Sequence, residues 1–483
     1  MKRFISALVS FVLALGLIST LSACDKEDEV LVLRIYNWED YIADDDEDDD
    51  YSLLSDFVEW YAETHDGAEI EIEYSTFGTN EILYNDLKIN PGNFDLVCPS
   101  DYMIQKMIKE DMLEPLGNGA ASVPNYDEYG SDYMKDLFEE NGWADYAIPY
   151  MWGTMGFVYN PEFVDEDDVS TWAVALNEDY KNRGTIKDSV RDTFFLGVAL
   201  AKIDELSAKN EAFVSGDISL EEYREYLAAT FNDTSKETVD AVQELLIKAK
   251  KNAYSLEVDD GKNDMATGKI WLNFAWSGDA VYTMDEAEED ETYLNYAVPK
   301  EGSNIWFDGW VIPKGIPEKN KEAALAFLDF LSIPENACLN MEYIGYTSAI
   351  AGDEVLEWVQ DYGYACDEDD EDAVAVDVTY FFGTTEDGEN TYVYTSEPNR
   401  QLMAQYPPQE VVARCTIMQY FEDEANERIN TMWNRVKAAD NIWRDVIIIG
   451  TVLIIGAATF LLMLLYNKGR LDVKAPKGFK RVK

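Results

Sequence analysis

Histidine is almost missing: His65 is the only one in 483 residues. A metal site built on two imidazoles is thereby excluded. A Ser-His-Asp triad would have to use His65, which lies in the polar run Glu63-Thr64-His65-Asp66-Gly67 and reads as an exposed helix end. Basic residues are scarce too, with 38 Lys and Arg against 95 Asp and Glu and a formal net charge of −57. Such a field repels nucleic acid and anionic substrates and concentrates cations. Most of the charge reads as solvated surface, with the Asp-rich stretches 44–50 and 367–372 as loops. No Gly-x-x-x-x-Gly-Lys-Ser/Thr or Gly-x-Gly-x-x-Gly run occurs, so any nucleotide hydrolysis belongs to a partner. An EF-hand starting at Asp44 fails because Asp49 and Ser55 stand where Gly and Glu are needed. Cys98, Cys338, Cys366 and Cys415 match no zinc or redox spacing, and whether they form disulfides stays open. Neither a metal nor a cofactor is implied.

What is present begins with an export signal over residues 1–23, in which Lys2 and Arg3 precede the apolar run 4–18 and Leu21-Ser22-Ala23 leads to Cys24. Leu-Ser-Ala-Cys resembles the lipobox of bacterial lipoproteins, which makes Cys24 the expected lipidation site. Residues 446–466 form a second apolar run without a charge, about the ~20 residues that span a ~30 Å hydrocarbon core. They are expected to be a transmembrane helix. Lys468, Arg470, Lys474, Lys477, Lys480, Arg481 and Lys483 follow it, which predicts a cytoplasmic tail over 467–483 and a large outward-facing region over 24–445 at the cell membrane.

From Val30 the chain alternates strand and helix patterns. Strand-like Leu31-Val32-Leu33-Arg34-Ile35-Tyr36 is followed by helically spaced Leu53, Leu54, Phe57, Val58 and Tyr61. Residues 69–74 alternate Glu with Ile or Tyr, the period of a strand with one polar face, and a helix over 79–88 leads to a strand over 94–98. The βαβαβ order argues for an open parallel sheet, whose ligands bind beyond the carboxyl ends of the strands. A second α/β region starts near Ile148 and closes on a buried strand over 270–276, and a strand-helix unit over 299–331 then returns to the first lobe. The acidic stretch 365–399 reads as an inserted hairpin or loop.

Carboxylates stand beside large aromatics at those strand ends: Trp38 with Asp40 and Tyr41, Ser100 with Tyr102, Trp276 with Asp279, Trp306 with Asp308. An alkylammonium needs acceptors for its hydrogens and an apolar wall for its methylenes. Aromatic faces supply the wall and roughly 0.5–2 kcal/mol of cation–π attraction each, and a charge-assisted hydrogen bond adds about 1.5–3 kcal/mol. Paired acids could also serve a secreted carboxylate-dependent hydrolase, kept as the enzyme alternative. A sensory module for a small organic cation is the other rival, although a tail over 467–483 is too short for a signalling domain.

Together with Tyr36-Asn37-Trp38-Glu39-Asp40-Tyr41, the segments Asp95-Leu96-Val97-Cys98-Pro99-Ser100-Asp101-Tyr102 and Ile148-Pro149-Tyr150-Met151-Trp152-Gly153 resemble periplasmic spermidine/putrescine-binding proteins. Asp188-Ser189-Val190-Arg191-Asp192, Trp276-Ser277-Gly278-Asp279-Ala280, Pro299-Lys300-Glu301-Gly302 and Ile344-Gly345-Tyr346 extend the likeness. The resemblance implies an α/β, two-lobed type II periplasmic-binding fold with an interlobe cleft, plus the C-terminal transmembrane helix. Lobe 1 is expected over about 30–147 and 307–355, and lobe 2 over about 148–306 and 356–440. It implies binding without catalysis: a polyamine, putrescine or spermidine, held between the lobes and handed to an ABC permease and its ATPase. Carried over, the aromatic box falls on Trp38, Tyr41, Tyr102, Trp276 and Trp306, and the ammonium acceptors on Asp40, Ser100, Asp192 and Asp308, with Asp188 and Gln419 as further contacts. Two departures stand out: Glu39 follows the first Trp, and a mid-cleft acidic position aligns with Ser189 beside Asp188.

Overall fold

Three apolar-rich runs early in the chain form the first three strands, β1 Leu31–Trp38, β2 Ile70–Phe77 and β3 Leu96–Val97. The structure, a computed structural model, describes residues 30–44, 52–385 and 387–439. Between β1 and β2 the helix Leu53–Thr64 is capped by Ser52, whose hydroxyl accepts from the Ser55 N–H at 3.2 Å. Its inward stripe Leu53, Phe57 and Tyr61 is buried at a spacing of four. The helix Asn80–Ile89 starts at its N-cap Thr79, as the spacing over 79–88 predicts. β2 keeps its glutamates turned to water because it is the sheet edge.

β1 pairs in parallel with β2, from Leu31 opposite Ile70 to Trp38 opposite Phe77, and with β3. Their carboxyl ends therefore finish at one level, which brings Trp38 and Ser100 to the same crevice.

The chain then makes β4 Ala147–Tyr159, β5 Gly184–Lys187, β6 Ser255–Glu257, β7 Leu272–Trp276, β8 Asn295–Ala297 and β9 Ser303–Val311. Every residue of β4 and of β9 is buried, as expected for strands covered on both faces. They run antiparallel from Ala147 opposite Val311 to Thr154 opposite Ile305, with an irregularity between Pro149 and Met151, where proline interrupts the ladder. The strand order β2-β1-β3-β9-β4-β7-β5-β6 makes these two long strands the shared spine between the β1–β3 group and the β5–β7 group.

The expected return to the first strand group occurs: Asn320, on the helix Glu318–Leu331, donates through Nδ2 to the Val32 carbonyl at 2.8 Å and to Asp95 at 2.9 Å. The short β10 Thr347–Ser348 adds to β4. Within the acidic stretch, β11 Val374–Asp377 and β12 Tyr392–Thr395 form an antiparallel hairpin. Between them Phe381 lies against Trp152 of β4, ring centroids 5.5 Å apart. Finally β13 Cys415–Thr416 pairs with β9.

The membrane-spanning part of the expected architecture needs correction. Among the described residues no helix is long and apolar enough to cross a membrane, so the architecture on view is the two-lobed α/β fold alone. Apolar helix residues here serve a shared protein core rather than a lipid face. The segments 1–23, 446–466 and 467–483, like Cys24, lie outside the described residues.

Candidate ligand-binding site

Two carboxylates face each other's field in the crevice where β9 leaves the first strand group and the helix Val190–Ala201 begins. Asp308 on β9 is 6% exposed and Asp192 in the first turn of that helix 8%. Tyr41 donates its hydroxyl to Asp308 Oδ2 at 2.7 Å, while Oδ1 has no hydrogen-bond partner among the described residues. Burial pushes the Asp308 carboxyl up to about 6, opposed by the Ser100 and Tyr41 hydroxyls and reinforced by the charge of Asp192. Asp192 is likewise raised by burial, with the Ser189 hydroxyl, Lys187 and the Trp276 indole acting against it. Neither acid has an ion-pair partner among the described residues, although a buried charge is costly without one.

Aromatic side chains meet both acids, Tyr41 at Asp308 and Trp276 at Asp192. Trp306 is buried with its indole N–H donated to the Thr154 carbonyl at 3.3 Å, and Trp38 leans on Phe77 with centroids 4.6 Å apart and its own indole N–H unpartnered. Tyr41 meets Tyr346 edge to face at 4.9 Å. Gly153 allows the approach, since a Cβ there would meet the Trp306 ring at 2.6 Å and collide with Ser277 Oγ.

Of the residues singled out in the sequence, Tyr41, Ser100, Asp192, Trp276 and Asp308 come together here, Trp306 stands on β9 against Tyr346, and Trp38 stands at the end of β1 against Phe77. Tyr102 stands beside them, but its ring carries the Arg191 guanidinium at 4.3 Å and its hydroxyl accepts from Asn80 Nδ2 at 3.1 Å. Asp40 is exposed in a left-handed turn, φ 49°, and its charge acts across the mouth on Lys262 and Tyr282. Asp188 is not brought into the buried pair: its carboxylate meets Lys437 Nζ at 2.8 Å. The Gln419 side chain is exposed, and the residue contributes only its backbone, the carbonyl accepting from Arg191 at 2.7 Å and the N–H donating to Asn232.

Sequence reasoning passed over four participants. Asp101 is buried with Oδ2 unpartnered, and burial raises its carboxyl well above the ordinary range. Lys187 is buried, with Nζ 3.1 Å from Asp279, 3.8 Å from Glu257 and 4.2 Å from the Trp276 ring centre. Arg191 lies between the rings of Tyr102 and Phe421. Tyr346 donates to Asp279 Oδ1 at 2.8 Å. Alternation cannot reveal such partners; only the strand-end position of Asp101 offered a hint.

A crevice at the strand ends of two sheet groups, floored by unpaired acids and walled by indoles, defines a two-lobed solute-binding protein. The chain belongs to the bacterial extracellular solute-binding protein family, whose pattern matches residues 56–364, and it is a binding protein rather than an enzyme. It is 30% identical over 335 residues to the spermidine/putrescine-binding periplasmic protein of Salmonella typhimurium, covering 69% of this chain and 80% of that one. A putrescine-binding periplasmic protein of Escherichia coli is 27% identical over 356 residues, 72% of this chain and 84% of that one. The crystal structure of a spermidine/putrescine ABC transporter substrate-binding protein from Streptococcus pneumoniae superposes with a TM-score of 0.55 at 26% identity, covering 84% of this chain and 98% of that one.

These relatives also bear on location. The curated relatives are named periplasmic proteins, and among the described residues no helix is long and apolar enough to cross a membrane, against the expectation of a membrane-spanning chain with a cytoplasmic tail.

Proposed function

We propose that this protein is the extracytoplasmic substrate-binding component of a polyamine ABC transporter, taking putrescine or spermidine between its lobes and delivering it to a permease driven by its ATPase. The observation that carries this reading is the buried pair Asp192 and Asp308, neither of which forms an ion pair among the described residues. Each acid accepts one ammonium, Asp308 with the help of Ser100, and the indoles of Trp38, Trp276 and Trp306 line the methylenes between. Tyr102, Asp40, Asp188 and Gln419 border the entrance. Lobe 1 comprises about 30–147 and 307–355, lobe 2 about 148–306 and 356–440, and closure is a hinge motion across β4 and β9.

The names of the relatives support the ligand class, and the cleft chemistry supports it independently. Titration calorimetry of the full chain with putrescine and spermidine tests it: micromolar or tighter binding is expected, and absence of heat at millimolar amine overturns it.

A further inference from the structure

Buried charge must be balanced, so the ionised groups around the cleft floor set the valence of the ligand it can take. Five acids are buried there: Asp101, Asp192, Asp308, Glu257 and Asp279. Three basic side chains answer them. Lys187 bridges Asp279 and Glu257, and Lys262 Nζ adds a contact to Asp279 at 3.6 Å, so the ion pairs of these two cations are with these two acids, and Lys187 reaches Asp192 only at longer range. Arg191, buried between Tyr102 and Phe421, acts on Asp101 and on Asp192 with its single charge. It forms no ion pair among the described residues and donates to the Gln419 carbonyl at 2.7 Å, so Asp192 and Asp308 remain as two buried carboxylates without a cation in contact.

The acids next along the chain and at the mouth are engaged elsewhere or wet. Asp188 spends its charge on Lys437. Ser189 next to it offers a neutral hydroxyl that caps the helix Val190–Ala201 and accepts from the Asp192 N–H. Asp40 and Glu81 stay in contact with water. The protein's own cations also occupy one face each of Trp276 and Tyr102, which leaves fewer aromatic faces for the charges of a long ligand.

We infer that the cleft is matched to a dication, a linear diamine with two primary ammonium groups, in preference to a triamine or a monoamine. This rests on the polyamine reading of the same site and narrows it.

The test compares putrescine, spermidine and butylamine by calorimetry on the full chain at neutral pH, in the wild type and in Ser189→Asp. Aspartate keeps the capping role of Ser189 and sets a third negative charge beside Asp192. Putrescine is expected to bind at least tenfold tighter than either other amine, and the variant is expected to move the spermidine-to-putrescine affinity ratio at least tenfold toward spermidine. Spermidine or butylamine binding as tightly as putrescine overturns the inference while leaving the polyamine reading intact. So does an unchanged ratio in a Ser189→Asp protein that retains the wild-type circular dichroism. Silence from all three amines overturns the polyamine reading itself.

Discussion

The hydroxyl of Tyr41 reaches Asp308 Oδ2 at 2.7 Å across 267 residues of chain and leaves the other carboxylate oxygen without a partner. One oxygen is thus oriented by the protein and the second kept for a guest, an arrangement that pre-organises a charged acceptor before the ligand arrives.

Replacing Asp308 by Asn should therefore separate affinity from stability. The amide still accepts from Tyr41 but carries no charge, so diamine affinity is expected to fall at least tenfold, in line with the roughly 1.5–3 kcal/mol of a charge-assisted hydrogen bond. The melting temperature of the ligand-free protein at neutral pH is expected to stay level or rise, because a buried, unpaired charge is gone. Calorimetry and thermal melts read the two effects.

Acid should act on the same group. With the folded Asp308 at about 6, above the ordinary value of 3.8, its ionised form is disfavoured by folding. Its contribution to ligand-free stability is full below about pH 4 and is lost as pH rises through 6. Ligand binding needs the ionised form, so affinity should weaken below pH 6, approaching tenfold per unit, with a proton released on binding. Titrations in buffers of different ionisation enthalpy detect that proton, and Asp308→Asn should abolish both slopes.

Gly153→Ala tests how tightly the box is packed. The added Cβ would meet the Trp306 ring at 2.6 Å and Ser277 Oγ more closely still. A cost of about 1–3 kcal/mol in denaturant unfolding is expected, together with weaker amine binding, since Trp306 must shift into the cleft.

Lys187→Met should prove the most destabilising of these changes, because it leaves Glu257 and Asp279 buried around a missing ammonium. Removing one partner of a buried pair costs about 3–5 kcal/mol, measurable by urea unfolding.

By contrast, Asp188→Asn is expected to change amine affinity less than twofold. Its pair with Lys437 is half exposed, and such pairs contribute about 0–1 kcal/mol. A tenfold loss would return Asp188 to the ligand.

Much of the site was legible because strand ends are. The strand-like runs stop at Trp38, after Cys98 and at Trp276, and ligands of open α/β sheets collect at such ends, so candidate residues there could be named from the chain alone. The helix Asn80–Ile89 was readable from its local spacing, starting at the cap Thr79, whereas the turn residues of 365–399 left hairpin and loop both open and the pairing of β11 with β12 settled it. Asp188 and Asp192 were not separable, since both sit four residues apart in one polar run. Only folding brings Lys437 to the first and the buried wall of Trp276 to the second.

By itself, then, the sequence determined the α/β alternation, the strand-end aromatics and acids, and the absence of histidine and nucleotide-loop chemistry, all of which depend on neighbours a few residues apart. Tertiary structure alone decided which acids keep an unpaired charge. Lys187, Arg191 and Tyr346 reach their partners from 67 to 92 residues away in the first and last cases, and Arg191 from 228. Whether a carboxylate is a solvated surface group or a buried acceptor without an ion pair depends on burial and on the nearest cation. Both are properties of the folded chain.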